Sequence, residues 1–311
     1  MDASPLLIVV NPAALRGEAA TGFAALRTAL PAGTAIRETA GDGRDAARLA
    51  EWIATVQPRT VAAAGGDGTV SAVARALMDT PSATRPALGL VPLGTANNVA
   101  RSLGFTRLTD AAVARPLAAA LLAHSTRPLD LGRANGQWFV GSCAAGMDAA
   151  ILAARNRWRA RWRLGRTLGG YPLYLAACAV GLARHRAVAA DVRVDGGPAE
   201  AQRVHNLLVL NTALYAGEFR FDGVDHSDDG RLDVHVFADA GAYVRGFVTA
   251  WRRHLGTAVA PAPLRRVTAL SATFAAPIAL QLDGEEAGVV RDLVVEVAPA
   301  ALQVLSVSSV V

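Results

Sequence analysis

Two short segments carry residue types that handle phosphate. The first is Gly65–Thr69 (GGDGT) and the second is Pro92–Asn98 (PLGTANN). Glycines allow a ligand to approach the backbone closely, and successive N–H groups at a helix N-terminus bind anions. Asp67 can orient an acceptor hydroxyl or a metal-bound water, and Thr95 can offer a hydroxyl to a phosphate or a ribose. The two segments together predict a phosphate site.

A structural interpretation of each segment stays open. Gly-Gly and Asp-Gly are common turn pairs, and either Asn97 or Asn98 can cap the helix that follows. The chain contains no lysine, so a P-loop that ends in Gly-Lys-Ser/Thr is excluded. Phosphate must then be held by backbone N–H groups, arginine, a metal or a mixture of these. The net charge of +5 suits a nucleic acid, a phosphorylated ligand or an anionic membrane.

The first half of the chain alternates predicted strands and helices. The predicted strands are Leu6–Val10, Thr34–Thr39, Thr60–Ala64 and Leu88–Val91. The predicted helices reach about Leu30, cover Asp45–Val56, end near Met78 and, capped by Asp110, reach about Ala123. This rhythm indicates a parallel sheet covered by helices, in which ligands bind at the carboxyl ends of the strands. Both glycine-containing segments fall at such ends.

The second half is predicted to be mainly antiparallel β structure. The predicted strands are Leu129–Arg133, Trp138–Ser142, Val188–Val194, Val204–Leu210, Leu232–Phe237, Val267–Phe274, Ile278–Leu282 and Val289–Val297. Helices are predicted only within Ile151–Ala183 and Ala242–Leu255. We therefore expect an α/β domain over residues 1–126 and a mainly antiparallel β domain over residues 127–311. Whether the last residues pack back on the first domain is left open.

Composition favours an intracellular protein. Two cysteines, Cys143 and Cys178, do not form a disulfide framework, and no apolar run reaches the roughly 20 residues of a spanning helix. The N-terminus lacks the positive region of a secretory signal. We expect a cytoplasmic location, and the basic cluster described below adds an expected peripheral contact with the inner face of the membrane.

An ordered set of motifs resembles the diacylglycerol kinase catalytic-domain family, which includes sphingosine, ceramide and bacterial lipid kinases. The motifs are Val9–Pro12, Gly65–Thr69, Pro92–Arg101, Gly146–Ala149, Asp228–Val234 and Leu282–Glu285. The resemblance spans nearly the whole chain. It implies an N-terminal domain like those of phosphofructokinase and NAD kinase, a C-terminal β-sandwich that receives the lipid, and ATP- and Mg²⁺-dependent phosphorylation of a lipid hydroxyl.

The resemblance also assigns a nucleotide site. Its residues are Asn11, Thr39, Gly65, Gly66, Asp67, Gly68, Thr69, Val70, Ser71, Thr95 and Asn98. Relatives commonly have asparagine where this chain has Ser71, and many have aspartate where it has Asn98.

Two further sites are implied by the resemblance in the second half. Glu285 would be the general base, with Asp283 beside it and Asp67 in the same catalytic network. A structural magnesium ion would be held by the Asp229 side chain and by the main-chain carbonyls of His226 and Arg231. On sequence alone, both segments can also be simple turns.

The strongest basic cluster, Arg155–Arg166, is predicted to contact the membrane. On a helix Trp158 and Trp162 share one face with arginines around them, which suits an anionic lipid surface. The alternatives are nucleic-acid binding, which no recognised motif supports, and a solvated helix whose tryptophans pack inward.

The predicted activity is therefore that of a lipid kinase acting on a diacylglycerol-like or sphingoid lipid. An NAD-kinase-like enzyme and a catalytically inactive lipid- or nucleotide-binding homologue stay open as alternatives. The sequence does not select the lipid, and a homodimer stays open.

Overall fold

The computed structural model describes residues 6–42, 44–161, 171–221, 227–257 and 265–307. Their contacts divide the chain into two compact units. The first unit comprises Met1–Leu131, Asp225–Asp229 and Ala298–Val311, and the second comprises Gly132–Val224 and Gly230–Val297.

The elements alternate in the first part of the chain and become mostly strands in the second. The strands are β1 (Leu6–Val10), β2 (Ala35–Glu38), β3 (Thr60–Gly65), β4 (Ala87–Pro92), β5 (Thr126–Ala134), β6 (Gln137–Phe139), β7 (Ser142–Gly146), β8 (Val188–Val194), β9 (Glu200–Val204), β10 (Asn206–Leu210), β11 (Leu214–Tyr215), β12 (Phe219–Arg220), β13 (Leu232–Phe237), β14 (Arg265–Val267), β15 (Ala269–Leu282) and β16 (Glu285–Leu305). The α-helices are α1 (Glu18–Ala29), α2 (Asp45–Val56), α3 (Asp67–Met78), α4 (Asn98–Ser102), α5 (Ala111–Ala123), α6 (Met147–Arg161), α7 (Tyr171–Arg184) and α8 (Ala240–His254).

The first unit is built on a parallel sheet, as predicted. Its strand order is β4-β3-β1-β2, and Val304 near the end of β16 pairs in parallel with Leu88 of β4. Every residue of β1 and β3 is buried, which explains their continuous apolar sequences. The side chain of Asp110 caps α5 as expected, accepting the N–H groups of Ala112 and Val113.

The second unit is mainly antiparallel, which confirms the predicted fold class. The strands β14, β13, β10, β7 and β15 lie in that order, and β15 also pairs with β8 and β16. Alternate residues of the central strands enter different cores. Cys143 and Val209 belong to the core between strands, while Ala144 and Leu208 belong to a core shared with residues of α6, α7 and α8.

Three strand predictions in this unit are wrong. The segment Trp138–Ser142 is not one strand, because β6 ends at Phe139 and β7 begins at Ser142. The segment Val204–Leu210 is not one strand, because β9 ends at Val204, His205 interrupts and β10 begins at Asn206. The chain changes partners there, since β9 pairs with β8 and β10 pairs with β7 and β13. The segments Val267–Phe274 and Ile278–Leu282 are likewise not separate strands. They lie largely in β15, whose register shifts around Pro277, a residue without an N–H group for the ladder.

The predicted helical segment Ile151–Ala183 contains α6 and α7, with residues 162–170 outside the described part of the chain. Within that part, each helix falls short of the length and apolar character that a bilayer span requires.

Candidate phosphate and acceptor sites

Four parallel strands end level with one another in the first unit. Val10 of β1 is in register with Glu38 of β2 and with Ala64 of β3. The residues that follow stay joined, because the Asn11 N–H donates to the Ala64 carbonyl and the Thr39 N–H donates to the Val10 carbonyl, both at 2.9 Å. Asn11 and Thr39 are therefore placed at the edge predicted for the ligand.

The first glycine segment joins β3 to α3 in a tight turn. Gly65 ends the strand, Gly66 occupies the N-cap position and Asp67 is the first helical residue. A Cβ atom at Gly65 would lie 2.2 Å from the Thr69 Oγ1 atom, so a larger residue cannot fit. A Cβ atom at Gly66 would meet the Gly94 Cα atom at 3.5 Å, which is an ordinary contact. The fold therefore requires glycine at position 65. At Gly66, by contrast, there is space beside the backbone.

The second glycine segment packs directly on the first. The Gly65 carbonyl accepts the N–H groups of Leu93 at 2.9 Å and of Gly94 at 3.2 Å. A Cβ atom at Gly94 would lie 2.7 Å from the Gly66 Cα atom, so the second glycine is needed for this packing. The two segments, residues 65–69 and 92–98, form one continuous surface at the ends of β3 and β4, which we call the glycine surface.

Asp67 links the helices that start at the two segments. Its Oδ1 atom accepts the Val99 N–H at 3.1 Å, and its Oδ2 atom accepts the side-chain amide of Asn98 at 3.1 Å. The acid thus caps α4 from another helix. The expectation that Asn97 or Asn98 caps α4 is wrong, because Asn98 is helical and the Asn97 side chain makes no capping bond.

Asn97 is a candidate site residue that sequence reasoning did not assign to the nucleotide. It adopts a left-handed conformation with φ of 47°, and its side-chain amide donates to the Gly94 carbonyl at 2.9 Å. The residue is only 3% exposed, and its Oδ1 atom accepts no hydrogen bond from any described residue. It lines a small depression together with Gly66, Asp67 and Pro92. The signal available in the sequence was the tolerance of asparagine for left-handed turns.

The remaining predicted nucleotide residues differ in accessibility. Gly68 and Thr95 are exposed at the glycine surface. Thr69, Val70 and Ser71 are buried in the first turns of α3, and the Ser71 hydroxyl donates to the Asp67 carbonyl at 3.1 Å. These buried residues support the turn from below rather than present side chains to a ligand.

The predicted base lies on a two-residue hairpin in the second unit. Asp283 and Gly284 both have positive φ, 51° and 80°, and connect β15 to β16. The Gly284 N–H donates to the Gln281 Oε1 atom at 2.7 Å, which holds the turn from its own strand. Glu285 follows with an exposed side chain. A rigid turn therefore presents this carboxylate.

Asp283 holds the segment before β7. Its Oδ1 atom accepts the N–H groups of Gly141 and Ser142 at 2.8 and 3.0 Å, and its Oδ2 atom accepts the Val140 N–H at 2.9 Å. Both carboxylate oxygens are thus engaged by backbone. This arrangement favours a supporting role for Asp283, whereas the family resemblance implied a place for it beside the general base in the catalytic network.

A buried polar network lies behind this hairpin. Asp148, at the start of α6, accepts the Tyr243 hydroxyl at 2.5 Å and the Asn206 side-chain amide at 2.8 Å. Burial raises the pKa of the Asp148 carboxyl, against the opposing effect of these hydrogen bonds. Tyr215 also bonds to Asp148, and its hydroxyl lies 3.3 Å from the Gln281 amide that supports the turn. Sequence reasoning gave no role to this network because its members are distant in the chain.

The predicted magnesium loop is described from Ser227 onward, and His226 lies outside the described residues. Ser227 is buried and its carbonyl accepts the Asp130 N–H at 2.7 Å. Asp229 is exposed, and the Arg231 guanidinium donates to the Arg266 carbonyl at 3.3 Å. Among the described residues no group of three His, Cys, Asp or Glu side chains is arranged to hold a metal. The ion expected here relies on carbonyls, so its presence stays a prediction.

In the described part of the basic cluster on α6, Trp158 faces the protein core. Trp158 is half-buried and packs against the core formed with α7 and α8. Trp162, Arg163 and Arg166 lie outside the described residues. The inward position of Trp158 fits the alternative of a solvated helix, and membrane contact through Arg155–Arg166 stays a prediction.

Both halves of the chain match protein-family models. Residues 5–134 match the diacylglycerol kinase catalytic domain, and residues 141–306 match the YegS C-terminal NAD kinase beta sandwich-like domain. A probable YegS-like lipid kinase of Pseudomonas aeruginosa PAO1 is 31% identical over 243 residues, which cover 76% of this chain and 73% of that protein. A probable YegS-like lipid kinase of Yersinia pestis Pestoides F is 34% identical over 155 residues, which cover 50% and 48%.

Solved structures share the fold over almost the whole chain. A diacylglycerol kinase from Bacillus anthracis Sterne superposes with a TM-score of 0.69 at 18% identity and covers both chains completely. An NAD kinase from Archaeoglobus fulgidus in complex with ATP superposes with a TM-score of 0.53 at 10% identity, covering 98% of this chain and 95% of that one. At these identities the likeness concerns the fold.

Proposed function

We propose that this chain, which belongs to the YegS-like lipid kinases and carries a diacylglycerol kinase catalytic domain, transfers the γ-phosphoryl group of ATP to a lipid hydroxyl with the help of Mg²⁺. Membership of this family implies a kinase that uses a nucleotide. The observation that carries the finer proposal is the glycine surface, in which the Gly65 carbonyl ties the turn after β3 to the turn after β4.

The glycine surface fits a nucleotide phosphate. The space beside Gly66 admits an atom without a clash, and α3 begins there with twelve helical residues. The exposed Thr95 hydroxyl can donate to a phosphate oxygen. The buried Asn97 Oδ1 atom is an acceptor, so it suits a ribose hydroxyl or a metal-bound water rather than the phosphate itself. In a chain without lysine, Arg101 is a candidate cation for this surface, because its guanidinium donates to the Ala96 carbonyl within the second segment.

Glu285 is proposed to accept the proton of the lipid hydroxyl. As that oxygen forms its bond to the γ-phosphorus, the bond from phosphorus to the β–γ bridging oxygen breaks and ADP leaves. A carboxylate can perform this task only if its position is fixed within hydrogen-bonding reach of the acceptor. The hairpin supplies that fixation through Gln281 and Asp283.

Mg²⁺, when bound, would offset negative charge on the transferring phosphoryl group. Asp67 would contribute to that role through a carboxylate that Asn98 and the Val99 N–H already orient. A second, structural ion is proposed at Asp229 with the carbonyls of His226 and Arg231, since hard oxygen donors in a turn suit this metal.

The acceptor is proposed to be a membrane lipid of the diacylglycerol or sphingoid class. The test incubates the protein with γ-³²P-labelled ATP, Mg²⁺ and a panel of diacylglycerol, monoacylglycerol, phosphatidylglycerol, ceramide, sphingosine and NAD. Label that enters the organic phase with one lipid class supports the proposal and names the substrate. Label on NAD would instead indicate an NAD-kinase-like enzyme, and nucleotide binding without transfer to any acceptor would indicate an inactive homologue.

A further inference from the structure

Helix α8 presents an apolar stripe to solvent. Val244, Val248, Trp251 and Leu255 are between 42% and 59% exposed. Their spacing of four, three and four residues places them along one side of the helix. Exposed apolar residues scattered singly are ordinary, but a continuous row of four large ones indicates a surface with a partner. We call these four residues the α8 stripe.

The α8 stripe does not belong to the face by which α8 packs against the core. A different side of the same helix already enters the core through Tyr243, Phe247 and Ala250, which are buried. Phe247 makes ring contacts with Tyr243 and Phe237 in that core. The helix is therefore anchored to the second unit by one face, and the stripe adds nothing to that anchoring.

Positive charge borders the stripe. Arg245 and Arg252 are exposed, and their separation of seven residues places them on the same side of α8. No carboxylate occurs between residues 240 and 257. Asp239, which precedes the helix, uses its Oδ1 atom to cap it through the Ala242 N–H at 2.7 Å and also lies close enough to Arg245 for their charges to attract. The outer surface of α8 is thus apolar and basic together.

These features select a lipid surface rather than a second copy of the chain. The stripe runs about 16 Å along the helix, from a rise of about 1.5 Å per residue. A stable dimer interface needs about 800 Å² from each partner, far more than four side chains provide. An indole with apolar neighbours suits the boundary between headgroups and acyl chains, and guanidinium groups suit anionic headgroups.

We propose that α8 docks the protein on an anionic bilayer, with the α8 stripe among the acyl chains and Arg245 and Arg252 at the lipid phosphates. The inference deepens the proposed function, on which it rests for its choice of a membrane as the place of action. It assigns the contact to α8, whereas the basic cluster on α6 directs Trp158 into the core.

The experiment measures sedimentation of the full chain with vesicles of phosphatidylcholine alone and of phosphatidylcholine with one quarter phosphatidylglycerol. The test variant is Val244→Ser with Val248→Ser. The matched control is Val289→Ser with Val294→Ser, a pair of similarly exposed valines on β16. A third variant, Arg245→Gln with Arg252→Gln, tests the charge. Circular dichroism and melting temperature check that each variant is folded.

The wild type is expected to bind the anionic vesicles, and the α8 valine variant is expected to lose about tenfold in partition coefficient or more. The control pair should bind like the wild type. The arginine variant should lose its preference for phosphatidylglycerol and most of its dependence on salt. Equal binding by the wild type and the α8 valine variant would overturn the proposal. A wild-type dimer that the same variant converts to monomer would also overturn it, because the stripe would then join two copies.

A second assay separates this inference from the proposed function. Phosphoryl transfer to a short-chain, water-soluble acceptor is expected to be unchanged in the α8 valine variant, because no vesicle is involved. If the wild type binds vesicles through the stripe but transfers phosphate to no acceptor, the docking surface stands and the kinase proposal fails. If transfer occurs while the stripe is irrelevant to binding, only the docking surface fails.

Discussion

Two glycines that look alike in the sequence have different tasks. Gly94 packs so closely on Gly66 that any side chain at Gly94 would displace backbone, whereas a side chain at Gly66 has space of its own. That space is where the proposed phosphates approach. Substitutions at Gly66 and Gly94 can therefore test phosphate binding and folding separately.

Gly66→Val is expected to weaken binding of a non-hydrolysable ATP analogue by about tenfold or more, because the new side chain occupies the phosphate position. Its melting temperature should stay near that of the wild type. Gly94→Ala is the contrasting variant, and it should lower the melting temperature. Calorimetric titration and thermal denaturation measure both quantities. Unchanged affinity in Gly66→Val would mean that the turn is only structural.

Glu285→Gln is expected to lower turnover by about two to four orders of magnitude, because glutamine cannot accept the hydroxyl proton. Nucleotide affinity should be unchanged. The adjacent Glu286→Gln is the matched control, since Glu286 bonds to the Asn156 side chain at 2.8 Å and has no proposed part in catalysis. Near-normal turnover in Glu285→Gln, or an equal loss in both variants, would contradict the assignment.

At the scale of single residues, the sequence predicted side-chain types better than their partners. The glycine segments were recognisable because each follows a predicted strand and precedes a predicted helix, which places it at the edge of a parallel sheet where ligands bind. The capping of α4 by Asp67 was not predictable, because Asp67 and Val99 are 32 positions apart and only the fold brings them together. Asn97 was overlooked as a site residue for a similar reason, since its left-handed backbone depends on how the two segments pack.

At the scale of elements, prediction succeeded where apolar periodicity and turn residues agreed. α2 has its predicted bounds, Asp45–Val56, and β1 its predicted bounds, Leu6–Val10. The prediction failed at His205, where a strand-like sequence continues while the chain changes from pairing with β8 to pairing with β7. Local sequence does not record which neighbour a strand pairs with.

The hairpin that carries Glu285 depends on Asp283. Asp283→Ala would leave the buried N–H groups of Val140, Gly141 and Ser142 without their carboxylate acceptor. We expect a loss of about 2–4 kcal/mol in the stability of the second unit, because charged hydrogen bonds are replaced by unsatisfied donors. Thermal denaturation measures this loss. A normal melting temperature together with lost turnover would show that Asp283 acts in the chemistry instead.

Two neighbouring histidines, of which His205 lies between β9 and β10, predict that the stability of the protein depends on pH. Burial lowers the pKa of His185 and of His205, and their rings lie 4.9 Å apart. Their folded pKa values lie below the unfolded value of about 6.5, so the neutral forms are favoured by folding. Stability is then fully present above pH 6.5 and is lost as pH falls below it.

The melting temperature is accordingly expected to fall as the pH is lowered below about 6.5. His185→Gln should reduce this fall, because one of the two imidazoles with a lowered pKa is gone and glutamine can still donate to the His205 carbonyl that His185 contacts. The same replacement at His254, which ends α8, is the control. A pH profile identical in the wild type and in His185→Gln would contradict the interpretation.

At the scale of the whole molecule, the two units draw on separated stretches of chain. The first unit takes residues from three stretches, among them Ala298–Val311 at the end of the sequence. Pairing of Val304 with Leu88 explains why this last stretch belongs there. The predicted domain boundary at residue 126 stays a prediction. A single boundary cannot describe a unit that also contains residues from later in the chain.

The central claim is that phosphate moves from ATP to a lipid through the glycine surface and Glu285. Its most direct measurement is the transfer of ³²P from γ-labelled ATP into the lipid phase by the wild type, Gly66→Val and Glu285→Gln, with and without added lipid and Mg²⁺. The account predicts labelled lipid with the wild type only when both lipid and Mg²⁺ are present. Gly66→Val should need more ATP, and Glu285→Gln should be slow at saturating ATP. Labelled lipid formed equally by all three proteins, or no labelled lipid with any lipid class, would contradict it.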